Sequence, residues 1–347
     1  MDTISFTLLL IASSVIAIVI ATLYSLVLPG IERKVQARIQ QRIGPPILTP
    51  GFWSVIKFTY KEKVEPIAQM PRLYKCSVYL GVVVVAFLLL FSTPYWWAVL
   101  SWGSILGIVG LLKIEEVIYV FMGSQSQSIL STSMPMPDLA KGSKHIGTRR
   151  EFVEQHSAER AIKMMAIGSL PIYLALIVPF VVGKSILISD VVSFQNPAFF
   201  SAPWYGLPLP SHPILFTVPG FLATIPFFLG YTILLNEKPF SILKAKIDVI
   251  EGGVLEYAST LRAAYYVMRN LLLFALSSIF VTLFIGIPFD PFTPFVFLLN
   301  MLLSIILPVC LAVLVAFSPI LTFRQIYPVA IGLSAIGVLA MILAVSI

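Results

Sequence analysis

The sequence predicts an all-α integral membrane protein: a bundle of about eight transmembrane helices with amphipathic cytoplasmic helices and loops. Three observations predict it. Hydrophobic residues make up 58% of the chain and charged residues 11%, where soluble domains carry roughly 25% charged residues. Apolar stretches of about 20 residues, enough to cross a hydrocarbon core of roughly 30 Å, recur along the chain. Basic residues gather in alternate connections. In lipid each backbone N–H and C=O needs a partner, and an apolar helix supplies these internally.

Taken in order, the predicted spans are 4–29, 76–93, 97–122, 159–182, 213–235, 262–287, 292–317 and 327–346. They form a single transmembrane domain over 1–347, with cytoplasmic docking loops at 30–75, 123–160 and 236–262. Pro94-Tyr95-Trp96-Trp97 reads as a short turn with interfacial aromatics. The start MDTISF lacks the basic region of a cleavable signal, so the first span is expected to be retained.

Charge sets the orientation. Twenty of the 23 Lys and Arg residues fall in the connections 30–75, 123–163, 236–262 and 318–326. The opposite loops hold only Lys184. By the positive-inside rule the basic loops are cytoplasmic, in the cell membrane, and both termini face out. The net charge of +7 is thus a topology signal. No compact basic domain exists for nucleic acid.

Cys76 and Cys310 lie far apart, and His145, His156 and His212 share no register for haem or metal. No catalytic residue, metal site or cofactor is expected on this chain, so redox centres belong to other subunits.

The stretch IERKVQARIQQRIGPP, 31–46, follows the first span. Read as a continuing helix, it stacks Lys34, Arg38 and Arg42 on one stripe, with Gly44-Pro45-Pro46 as its stop. FWSVIKFTYKEK, 52–63, reads as a second amphipathic helix along the interface. One such element suffices as an anchor; two in succession suggest a docking floor.

Inside the third span stand Lys113, Glu115 and Glu116, about 10–12 Å deep at 1.5 Å per residue. An ionisable group at that depth costs at least ~2.5 kcal/mol, so a partner or a wet path is expected. Lys113 and Glu116, three apart, can pair, and Glu115 points about 100° away. Arg269 is similarly deep in the sixth span. Glu251 and Glu256 precede that span, and Glu154 and Glu159 precede or open the fourth. Together these acids suggest a hydrated funnel, against the plainer readings of loop solvation and a structural ion pair.

GIERKVQARIQQRIGPP resembles the E-R-K-x-x-A-x-x-Q-x-R-x-G-P signature of the complex I subunit 1 family. That family includes the equivalent membrane component of bacterial NADH–quinone oxidoreductases and the membrane subunits of energy-converting hydrogenases. Glu32-Arg33-Lys34, Ala37, Gln40, Arg42, Gly44 and Pro45 match in register. Lys57 and Lys61-Glu62 fit the following helix, with Ser54 in place of the usual Asp. Gly147, Arg150, Ser157 and Glu159 match the next loop, while Glu154 and Ala158 replace its Gln and Tyr. In the last loop Pro239, Phe240, Gly252, Glu256 and Tyr257 match. Ser241, Lys244, Lys246 and Asp248 stand where the family carries acids.

The resemblance implies a non-catalytic membrane subunit of a respiratory oxidoreductase complex, of the membrane-bound hydrogenase or sulfur reductase type. It implies docking and coupling through Glu32, Arg33, Lys34, Arg38, Arg42, Arg150, Glu154, Asp248, Glu251 and Tyr257. An ion relay through Lys113, Glu115, Glu116, Glu159, Glu256 and Arg269 would feed H⁺ or Na⁺ translocation. Implied partners are a hydrogenase-like large subunit, an iron–sulfur subunit and antiporter-like membrane subunits. These partners would hold the iron–sulfur clusters and, in the hydrogenase case, a nickel–iron centre. Lysines at two acidic positions reverse the local field, which points away from a quinone chamber. The alternatives are a quinone-chamber subunit of a complex I-like dehydrogenase and a stand-alone secondary transporter. The latter would show an internal repeat, and none is evident between the two halves.

Overall fold

The computed structural model describes residues 3–66, 68, 70–99, 103–126, 153–201, 209–244 and 252–346, and its regular elements are helices. The apolar run of α1 (Thr3–Ser25) carries no charge. After a two-residue turn, Pro29 lies in the first turn of α2 (Leu28–Ile39), where a missing N–H is not needed. α2 ends at Ile39, earlier than the sequence suggests, and Gln41 adopts a positive φ of 56°. Lys34 and Arg38 therefore share a helical stripe, and Arg42 leaves it. The segment that follows is a π-turn (Thr49–Trp53) and a short α3 (Ser54–Thr59) rather than one helix over 52–63.

Next come α4 (Pro71–Leu90), the short α5 (Pro94–Val99) and α6 (Ile105–Gln125). The predicted span 97–122 thus opens several residues later, at Ile105. α7 (Val153–Lys163) passes through a π-turn (Met164–Gly168) into α8 (Leu170–Val182). Two short helices, α9 (Ile188–Gln195) and α10 (Pro197–Ser201), precede α11 (Val218–Leu234), which the Thr217 hydroxyl caps. α12 (Ser259–Phe280) runs into a π-turn ended by Gly286 at φ 81°. α13 (Pro294–Ser304) and α14 (Ile306–Phe317) are one span broken at Ile305. There the ring of Pro308 opposes the Ser304 carbonyl. A capping box of Thr322 and Gln325 opens α15 (Phe323–Val345).

Among the described residues six helical stretches are long and apolar enough to cross a membrane. α11 is shorter, and α6 carries Lys113, Glu115 and Glu116. The all-α membrane architecture stands on these elements.

α12 is the axis of the bundle. Every residue from Asn270 to Ile279 is buried, the mark of a helix packed on all sides. α4 packs along both α12 and α6, while α8, α11 and α15 pack on one another, and α14 covers α2. Ring contacts of Phe227 with Phe280 and of Phe274 with Phe289 fill the centre. Polar side chains serve the backbone that the π-turn at 281–285 frees. Gln195 Nε2 donates to the Leu283 carbonyl at 2.8 Å, and Asn300 Nδ2 to Ile287 at 2.7 Å.

Candidate functional site

Glu115 and Glu116 are both buried on α6, 5% and 9% exposed. Adjacent helical positions face different neighbours, and the two carboxylates do. Glu116 accepts from Lys113 Nζ at 2.7 Å. Lys113 also donates to the Met165 carbonyl at 2.9 Å and to Ser169 Oγ at 3.0 Å. Its ammonium lies 4.4 Å from the centre of the Tyr173 ring. Glu115 lines a small cavity with Tyr119, Asn236 and Arg269.

Three cavities adjoin in sequence. The largest, about 380 Å³, is lined by Glu32, Arg33, Glu237, Arg262, Arg269 and Asn270 among others. It shares Tyr265 and Arg269 with a neck of about 10 Å³, which reaches Glu115. The neck shares Glu115, Tyr119 and Asn236 with a cavity of about 30 Å³ beside Glu116. A chain of ionisable groups thus runs from α2 and α12 to the middle of α6. Arg269 pairs with Glu237. Glu32 Oε1 and Asn270 Nδ2 are buried without a hydrogen-bond partner among the described residues. Buried polar atoms of that kind call for water or an ion beside them.

Of the expected relay residues, Lys113, Glu115, Glu116 and Arg269 meet along this chain. Glu159 is exposed on α7 and Glu256 half-buried after residues 252–254; neither lines the three cavities. Among the docking residues Arg33, Arg38 and Arg42 are exposed and Lys34 is half-buried. Glu32 faces inward to the large cavity. Tyr257 is buried, its ring stacked 4.5 Å from Tyr74 and its hydroxyl bonded to the Tyr74 carbonyl and Ser77. Arg150, Asp248, Glu251 and the Glu154 side chain lie outside the described residues.

Sequence reasoning missed Glu237, Asn236 and the inward turn of Glu32. A signal existed for the first. A lone Arg269 within a span requires an acid, and Glu237 stands just past the end of the preceding span.

The connecting segments are tied to one another by side chains. Ser259 Oγ donates to the Lys61 carbonyl at 2.7 Å, Ser157 Oγ to Leu243 at 3.1 Å and Tyr74 Oη to Gly253 at 2.6 Å. Among the described residues no group of three or more His, Cys, Asp or Glu stands ready for a metal.

The family model described as NADH dehydrogenase matches residues 12–133 and 156–346. The chain belongs to this family, that of complex I subunit 1. An uncharacterized protein of Methanocaldococcus jannaschii, MJ1362, is 42% identical over 317 residues, covering 91% of this chain and 92% of the relative. A subunit of the NADH-quinone oxidoreductase of Mesorhizobium japonicum is 26% identical over 83% of this chain and 78% of its own. Its counterpart in Paraburkholderia xenovorans is 25% identical over 71% and 62%. In fold the chain is similar to a chain of the membrane-bound sulfane sulfur reductase, an archaeal respiratory membrane complex. The TM-score is 0.75 at 21% identity, covering 96% of this chain and 99% of the other. This family member is a multi-pass membrane subunit of a respiratory oxidoreductase complex.

Proposed function

We propose that the chain couples electron transfer in a hydrophilic iron–sulfur arm to cation translocation, in a complex of the membrane-bound hydrogenase or sulfur reductase type. The basic loops face the cytoplasm and both termini face out. Arg33, Lys34, Arg38 and Arg42 form the floor for a hydrogenase-like large subunit and an iron–sulfur subunit, which carry the clusters. Antiporter-like subunits lie alongside in the membrane.

The observation that carries this reading is the run of three adjoining cavities from Glu32 and Glu237 through Arg269 to Glu115 and Glu116. A change of charge at the large cavity shifts the Arg269–Glu237 pair. That alters the field at Glu115, which is close enough to respond in a low-dielectric setting. Lys244 and Lys246, where relatives of the quinone type carry acids, favour an acceptor held in the arm over quinone. Abolition of a quinone-dependent activity by a chamber inhibitor would reverse that choice.

The test is Glu115→Gln and, separately, Glu116→Gln in the intact complex. Assembly is followed by co-purification, and ion movement is measured in inverted membrane vesicles. The relay requires assembly to persist while ion movement falls at least about tenfold for Glu115→Gln, a loss of about 1.4 kcal/mol or more. Undiminished pumping would make the chain a structural anchor.

A further inference from the structure

The outer face of α3 and of the π-turn before it has the make-up of a membrane–water boundary. Trp53, Lys57 and Tyr60 follow one another at four and three residues, which puts them on one side of a helix. Trp53 and Tyr60 are 55% and 87% exposed, Lys57 is exposed, and no residue of α3 is buried. The other side rests on α12, where the Phe58 ring stacks 5.5 Å from Tyr266. Lys61 holds its ammonium 5.2 Å from the Phe58 ring, and Lys63 follows it, both exposed. Against these three lysines stands one acid, Glu62, since Glu65 pairs with Lys75 at 2.7 Å.

The depth of this face follows from α12. The helical stretch Ser259–Ile285 runs for 27 residues, about 40 Å at 1.5 Å per residue, against a hydrocarbon core of about 30 Å. Its ends therefore reach into the headgroup layers. α3 is held between Ser259, whose Oγ donates to the Lys61 carbonyl at 2.7 Å, and Tyr266. Those residues are about 10 Å apart along the helix, so α3 straddles the border of headgroups and acyl chains. Indole and phenol rings settle at that level. Lysine stems lie there along apolar surface, with the ammonium raised toward water. Ile47 and Leu48, just before the π-turn in the chain, are 43% and 49% exposed and add apolar surface.

We propose that this face binds the headgroups of anionic phospholipids. Lys57, Lys61 and Lys63 are the cations that select them, and Trp53 and Tyr60 fix the depth at which they are met. Charge decides between lipids. Three lysines and one acid leave two net positive charges, which favour a phosphate ester without an amine over a zwitterionic head. A lysine at a membrane surface contributes about fivefold to that preference. Charge also decides between lipid and protein as the occupant. The cores of protein interfaces are depleted in lysine, and Lys57 stands between the two rings of this face. The floor for protein partners then narrows to α2, with α3 as its lipid-facing border. Lipid binding here is independent of the ion relay.

The experiment places the purified complex in phosphatidylcholine vesicles that carry a photo-crosslinking lipid, either a phosphatidylglycerol or a phosphatidylcholine with its reactive group at the head. Labelled peptides are then mapped on this chain. Residues 47–64 should take up the phosphatidylglycerol probe at least about tenfold more than the phosphatidylcholine probe, and the preference should shrink as salt is raised. Lys57→Gln together with Lys61→Gln should bring the two probes to nearly equal labelling, with the subunit composition of the complex unchanged. Equal labelling in the wild type, or a preference that the double variant keeps, overturns the site. Label on neighbouring spans but none on 47–64 would mean that a protein covers the face, and overturns it as well. So does loss of the hydrophilic subunits from the double variant, which would return α3 to the protein floor.

Discussion

Asp290, on the loop between the π-turn at 281–285 and α13, is 3% exposed. It accepts from the Phe292 N–H at 3.1 Å and from Thr293 Oγ1 at 2.6 Å. Burial pushes its carboxyl above the usual range and outweighs these hydrogen bonds. Across the loop the Tyr95 phenol is pushed up to about 12, by burial first and by the Asp290 charge second. Because the folded value for Asp290 is raised, its contribution to stability is full below its ordinary pKa and is lost as pH rises through the folded value. Melting temperature of the complex should therefore fall with rising pH more steeply in the wild type than in Asp290→Asn. Parallel curves would show that the carboxyl stays satisfied when ionised. At the same scale, Tyr257→Phe removes the bonds to Ser77 and the Tyr74 carbonyl. A loss of about 0.5–1.5 kcal/mol is expected per bond, read as a lower melting temperature with the arm still attached. The sequence match marked Tyr257 for docking, and in the structure its buried ring stacks on Tyr74, a position that also suits an internal brace. Spacing alone has no way to tell those apart, since both need the same residue at the same position.

At the scale of elements, α2 and the segment after it are held by close backbone contact. A Cβ on Gly30 would run into the Ile47 carbonyl, and one on Gly51 into the Leu26 carbonyl. Gly30→Ala should cost about 1–3 kcal/mol as overpacking, seen as a lower melting temperature and weaker retention of the arm subunits. An unchanged melting curve would mean that the segment yields freely. The proposed floor is one of charge. Arg38 and Arg42 are exposed, so reversing both to Glu should release the hydrophilic subunits on purification while the chain stays in the membrane. Co-purification that survives the double reversal, at low salt where surface charges act farthest, would place the arm elsewhere. The amphipathic character of 31–63 was legible in its residues. The end of α2 at Ile39 was not, because a positive φ is uncommon for a non-glycine residue such as Gln41.

For the molecule as a whole, charge is placed by depth. Exposed cations gather on α2, α3 and the adjoining loops, while Lys113, Glu116, Arg269 and Glu237 are paired within the bundle. Partly buried pairs of this kind are costly to break, because removal of one partner leaves the other charge uncompensated. Glu237→Gln should thus disturb Arg269 and lower both stability and ion movement, in contrast with Glu115→Gln, which is expected to spare assembly. Equal behaviour of the two variants in co-purification and in the vesicle assay would argue against separate roles.

The sequence by itself determined the membrane class, the position of most spans and the membership of the family. Those follow from runs of apolar residues and from a contiguous motif, both of which are local. It also pointed to Lys113, Glu115 and Glu116, since charge within an apolar run is visible without any fold. Only the tertiary structure decided which acid faces which cation. Glu32 from α2 and Glu237 from the connection after α11 meet Arg269 of α12, and Met165 meets Lys113 through a π-turn. Such meetings depend on the rotation of each helix about its axis. That rotation is set by packing against all its neighbours at once, and no single segment encodes it.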